Sequence, residues 1–197
     1  MKTAFSFVFL CLFLVSCESY DLNHKGFEPI TEKMLSDSIT PAFHQDYFEV
    51  REFSCWDTTN YQIKFSKGSY PLTDSLFCSQ GVNFSSAGWC VFFSVLSFNG
   101  SIPTFWTTYD DIVYFLAPID TYSDALLLAR LKGYSFKLND EGLGIKKENG
   151  KFYLKVLKLV RTCDPIETDQ FFLEIDEAGS VKVMDHKVYE VLKGACI

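Results

Sequence analysis

Phe171-Phe172-Leu173-Glu174-Ile175-Asp176-Glu177-Ala178-Gly179-Ser180-Val181-Lys182-Val183 is the stretch on which the fold class turns. Phe171, Leu173 and Ile175 alternate with Phe172, Glu174 and Asp176, the period of two expected of a half-buried strand. Asp176-Glu177-Ala178-Gly179 supplies turn chemistry, and Val181 and Val183 resume the alternation. The stretch therefore reads as an antiparallel hairpin. Just upstream, Phe152, Leu154 and Val156 point one way while Tyr153 and Lys155 point the other. The apolar phase then slips to Leu157 and Leu159, which predicts a β-bulge near Val156-Leu157, because one extra residue sends every later side chain to the opposite face.

Two helices precede these strands. Thr107 or Thr108 caps the first, Asp110 and Asp111 lie in its first turn where the helix dipole favours negative charge, and Pro118 closes it. Thr121 with Asp124 three positions on forms a capping box for the second, which ends at Gly133. Ala125 to Leu131 is apolar nearly all round, so this helix must be buried against a sheet. Trp89 to Phe98 is an almost unbroken apolar run bounded by turn residues, the pattern of a buried central strand. Tyr47 to Phe65 reads as a hairpin turning at Asp57-Thr58-Thr59-Asn60, and Ser66 to Gly88, dense in Ser, Gly, Pro and Asn, reads mostly as loop. The expected fold is α+β: one domain over residues 46–197, with two helices packed on one face of a single antiparallel β-sheet.

The N-terminus carries an address. Lys2 is followed by an apolar stretch from Ala4 to Leu14, long enough for an export signal and too short to span a bilayer. Leu14-Val15-Ser16-Cys17 resembles the lipobox of bacterial lipoproteins. The resemblance implies cleavage after residue 16, a lipid on Cys17, and anchoring to a membrane of the bacterial cell envelope, the outer membrane or cell surface ahead of the inner. An ordinary secretory signal cut just beyond Cys17 is the alternative. Residues 17–45 then form the lipid anchor and a polar tether. Several acyl chains hold a protein permanently, each buried methylene contributing about 0.8 kcal/mol.

Removing residues 1–16 deletes Lys2 and no acid, leaving 17 basic against 25 acidic residues. That balance excludes nucleic acid as a partner, since phosphates require a basic face. With 48% hydrophobic and 17% aromatic residues, the chain has ample material for a core. Beyond Cys11 in the signal and Cys17 at the anchor stand Cys55, Cys78, Cys90, Cys163 and Cys196, an odd set that leaves one thiol over. Cys163 with Cys196 is the favoured disulfide, because it would tie down a C-terminus that otherwise frays. Cys78 with Cys90, closing a short loop, is the next candidate.

Pro118-Ile119-Asp120 leading into Ala125-Leu126-Leu127-Leu128-Ala129, then Gly133-Tyr134, Cys163-Asp164-Pro165, the hairpin from Ile175-Asp176 to Gly179 and Ala195-Cys196-Ile197 are similar to an uncharacterised family of bacterial exported proteins. The resemblance spans residues 108–197. It implies a unit of fold and no activity.

No catalytic residue, cofactor or metal site is expected. His24 lies in the tether, and His44 and His186 lack metal-ligand spacing. Asp185 and His186 would face opposite sides of a strand. A glycine-flanked nucleophile elbow, a phosphate-cradling loop and a Cys-x-x-Cys pair are missing from the sequence. Trp56, Trp89, Trp106, Tyr109 and Tyr114 lie in or beside the loops and first helix of the middle segment. Core packing is the expected job of most of them; Trp106 and Tyr109, on a Thr-rich loop before a helix, are the ones expected at the surface, where aromatics grip sugars or partners. The sequence thus describes a non-catalytic envelope lipoprotein that binds an envelope protein or a glycan. Its alternatives are an exported hydrolase built around His44 or His186, and an inhibitor or immunity-type lipoprotein using the 66–88 loop.

Overall fold

The computed structural model describes residues 26–36, 39–71, 76–78, 80–86 and 89–197. A five-stranded antiparallel sheet comprises β1 (Tyr47–Ser54), β2 (Asp57–Gly68), β3 (Val82–Ser86), β4 (Trp89–Asn99) and β5 (Ile102–Trp106). Its order is β2-β1-β4-β3, with β5 following β3 along the same edge of β4. A four-stranded antiparallel sheet follows in chain order, β6 (Gly144–Glu148), β7 (Lys151–Thr162), β8 (Ile166–Ile175) and β9 (Val181–Leu192). The helices are α1 (Glu32–Ser36), α2 (Tyr109–Leu116) and α3 (Tyr122–Leu131), and α1 packs on α3.

The α+β class is as the sequence predicts, but there are two sheets, and the helices lie between them. Leu126 and Leu127 of α3 face Val50, Phe65 and Phe93 of the first sheet. On the other side, Tyr122 sets its ring 5.8 Å from that of Phe152 in the second sheet. Phe115 of α2 meets Phe48 of the first sheet, and Val113 meets Gly179 in the β8–β9 turn. One core cluster therefore runs through all three layers. A helix apolar on every side is satisfied only by cover on every side, and two sheets provide it.

Local chemistry fixes the helix starts. Thr108 accepts a hydrogen bond from Asp111 N–H and Thr121 from Asp124 N–H, each acid returning the bond to its cap residue. The first box is largely exposed. The second is buried, and burial raises the Asp124 carboxyl to about 6 against the opposing hydrogen bonds from Thr121.

Both faces of β1 are covered. Phe48 and Val50 face the helices, while Tyr47, Glu49, Arg51 and Phe53 face a second cluster with Leu96 and Phe98. Arg51 and Glu49 form an ion pair that is almost wholly buried. Arg51 Nη1 also donates to the Leu76 carbonyl at 2.7 Å, and its guanidinium lies 4.1 Å from the centre of the Tyr61 ring. The first of these contacts holds Leu76 against the sheet.

Four expectations are corrected by the packing. The β1–β2 turn falls at Cys55-Trp56, two residues before Asp57-Thr58-Thr59-Asn60, which lie within β2. Ser66 to Gly88, expected to be mostly loop, carries strand at both ends of its described residues: β2 runs to Gly68 and β3 is an edge strand. The β7 bulge lies between Leu159 and Arg161, not at Val156-Leu157. Leu157 is buried on the face opposite Val156, together with Lys155, Gln170 and Phe172, so the change of phase marks cover on that other face.

The fourth correction concerns the tether. Glu28 exchanges backbone hydrogen bonds of 2.9 and 3.0 Å with Ile145 on the open edge of β6. Ile30 is fully buried, and Ile39 nearly so. The folded unit thus includes residues from about Gly26 onward, well before the expected boundary at residue 46. Leu14-Val15-Ser16-Cys17 lies outside the described residues. Among those described, no helix is long and apolar enough to cross a membrane.

Candidate functional site

An aromatic surface forms where the segment before β1, the end of β5 and α2 meet. Ile112, Phe115 and Leu116 are the buried residues of α2, and that helical phase turns Tyr114 outward, leaving it 66% exposed. Trp106 sits opposite Val95 at the end of β5, and its Nε1 donates to Ser97 Oγ at 2.9 Å. Phe43 is placed by the Ala42 N–H, which donates to the Phe115 carbonyl at 2.7 Å. Ring centroids of Phe43 lie 5.6 Å from Trp106 and 5.7 Å from Tyr114, and those of Trp106 and Tyr114 are 6.2 Å apart. Phe115 lies beneath, 5.4 Å from Trp106. The rings support one another, so the surface is held in shape before any ligand arrives.

On the other side of Phe43 is an open cleft of about 350 Å³, lined by Pro41, His44, Gln45, Phe48 and Lys67. His44 is 81% exposed at its side chain, and its Nε2 lies 3.1 Å from Asp46 Oδ1. Asp46 Oδ2 accepts from the Gly100 N–H at 2.6 Å. That bond first, then the one to His44, holds the Asp46 carboxyl below its ordinary range. Apolar ring faces thus stand beside an amide, an ammonium and an imidazole. That pairing grips ligands with both an apolar face and hydrogen-bonding edges.

The structure redistributes the expected aromatics. Trp106 belongs to the surface, though half-buried. Tyr109 does not: its hydroxyl donates to the Gly179 carbonyl at 2.8 Å, the Lys132 ammonium lies 3.6 Å from its ring centre, and burial raises its pKa. It is a strut between α2 and the β8–β9 turn. Trp56, 84% exposed at the β1–β2 tip, lines a separate open cleft with Asn60 and Tyr61. Trp89 begins β4. Phe43 had no periodic signal around it in the sequence, whereas Tyr114 follows from the phase of α2.

The histidines are far apart in kind. His44 borders the aromatic surface, while His186 stacks on Phe171 at 5.3 Å and 13°. Asp185 pairs with Phe172 and His186 with Phe171, consecutive β8 residues on opposite faces of the sheet. Among the described residues, no group of three metal-ligating side chains converges.

Cys163 is bonded to Cys196, joining the end of β7 to the C-terminus. Cys90 is bonded to Cys55 and not to Cys78. The β1–β4 register places Ser54 opposite Val91, so Cys55 falls opposite Cys90 and their Cα atoms stand 5.2 Å apart. Cys78 is the remaining free thiol among the described cysteines.

The chain matches no protein-family model, no curated protein and no solved structure.

Proposed function

We propose that this chain is a lipid-anchored binding protein of a bacterial cell envelope, held by Cys17 and presenting the Phe43–Trp106–Tyr114 surface to an envelope glycan. The observation that carries the binding half is the three-ring cluster itself, with Tyr114 two-thirds exposed to solvent on α2. Hexose rings stack their C–H faces on such aromatics, and His44, Gln45 and Lys67 stand ready for hydroxyl groups. The anchoring half rests on the resemblance of Leu14-Val15-Ser16-Cys17 to a lipobox.

Titration with peptidoglycan fragments and with surface polysaccharide from the source cells, followed by calorimetry, tests the reading. Tyr114→Ala is expected to weaken glycan binding at least tenfold without altering the circular dichroism spectrum, about 1.4 kcal/mol or more. In cells, Cys17→Ser is expected to move the protein from the membrane to the soluble fraction. Binding that survives both Tyr114→Ala and Phe43→Ala would sink the assignment of the surface.

A further inference from the structure

β9 forms one edge of the four-stranded sheet, and it is long and open. Its register with β8 puts Val183, His186, Val188 and Val191 on one face and Lys182, Asp185, Lys187 and Glu190 on the other. Val188 is 57% exposed, and Val183, Val191 and Leu192 are exposed as well. An edge of this kind offers unpaired backbone groups to another strand, and charges on it ordinarily deter that pairing. Here the order of the charges does the reverse. Read along β9 they run plus, minus, plus, minus, and an antiparallel copy presents the opposite sign at each of the four places.

We infer that β9 pairs with β9 of a second copy of this chain, antiparallel and centred on His186, joining two four-stranded sheets into one of eight strands. In this register Asp185 stands opposite Lys187 of the second copy and Lys182 opposite Glu190, each twice by symmetry. Sliding the strands two residues either way brings Asp185 onto Asp185 or Lys187 onto Lys187. On the other face Val181 meets Val191 and Val183 meets Tyr189. The β8–β9 register shifts leave one extra residue in each arm, Met184 on one side of His186 and Tyr189 on the other, so the arms stay matched in length. The His186 N–H already points to the open edge, where the Asp185 carboxylate accepts it at 2.8 Å. Pairing replaces that local cap with the carbonyl of the opposing His186. A strand pair is a small interface, so the dimer is concentration-dependent and weakens with salt.

Sedimentation of the purified protein from about 10 μM to about 1 mM reads this directly. The wild type is expected to pass from monomer to dimer. Asp185→Lys, which faces Lys187 with a like charge at both symmetric positions, should weaken the dimer at least tenfold, and Asp185→Lys with Lys187→Asp should restore it. His186 lies on the two-fold axis, so His186→Cys in a Cys78→Ser background should form a chain-to-chain disulfide on mild oxidation, which Lys182→Cys should not. A protein that stays monomeric throughout, a dimer indifferent to Asp185→Lys, or equal cross-linking at residues 182 and 186 overturns the pairing.

Discussion

The five-stranded sheet buries both faces of its middle strands, whereas the four-stranded sheet leaves the far half of β9 open on both. On β1 the face away from the helices carries Glu49 and Arg51, polar residues that would ordinarily mark a wet surface, yet both are buried beneath Leu76, Tyr61 and Phe105. On β9 the corresponding charges stay in water. The difference teaches that alternation in a strand reports chemistry, not exposure. A charged stripe becomes interior when its charges neutralise each other and a loop closes over them.

That contrast is most easily broken at Arg51. Arg51→Met strands the Glu49 carboxylate in a dry site, and urea unfolding is expected to show a loss of about 3–5 kcal/mol, while Glu49→Leu with Arg51→Met recovers most of it. A loss below about 1 kcal/mol would mean that the pair is as wet as a surface one.

The disulfides offer a second handle, one in each sheet. Their sequence separations are 35 and 33, so chain entropy alone assigns both about 3–4 kcal/mol. Replacing Cys55 and Cys90 by Ser is expected to lose about 3 kcal/mol, because β1 and β4 lie in the core. For Cys163 and Cys196 the expected loss is about 1–2 kcal/mol, since Ala195 to Ile197 can fray without opening a layer. Equal shifts of the urea midpoint would erase the distinction between a closed sheet and one with a loose end.

The smallest effect sits in the layer the sheets share. With its folded pKa near 6, above the value of 3.8 expected when unfolded, Asp124 binds its proton more tightly in the native state. Its contribution is therefore favourable below about pH 4 and is lost as pH rises to about 6. Asp124→Asn keeps an acceptor for the Thr121 N–H without the charge. It is expected to gain about 1–2 kcal/mol at pH 7 and nothing at pH 4, measured as the difference between paired urea curves.

Much of this architecture is readable from residues with local causes. Thr108 with Asp111 and Thr121 with Asp124 are capping boxes in the sequence and in the structure, and the 171–183 hairpin turns where Gly179 adopts φ +79°. Trp89 to Phe98 is central, with partners on both edges. What escapes is whatever depends on a distant partner. An all-round apolar α3 says that it is covered but not that two sheets do the covering. Glu28, Ile30 and Phe43 sit in a polar stretch with no period, so neither the strap onto β6 nor the central ring of the aromatic surface has a local signal. Cys90 finds Cys55 through strand register, which spacing along the chain does not encode.

The bridge from Glu28 to Ile145 has a consequence for the order of assembly. The first sheet, helices α2 and α3 and the second sheet follow one another along the chain, so each of these can form on the one before it as the polypeptide emerges N-terminus first. The segment before the first sheet is the exception, because α1 must wait for α3, and the partner strand of Glu28, β6, is made more than a hundred residues later. The segment that opens the folded unit is thus held by a partner that is made long after it.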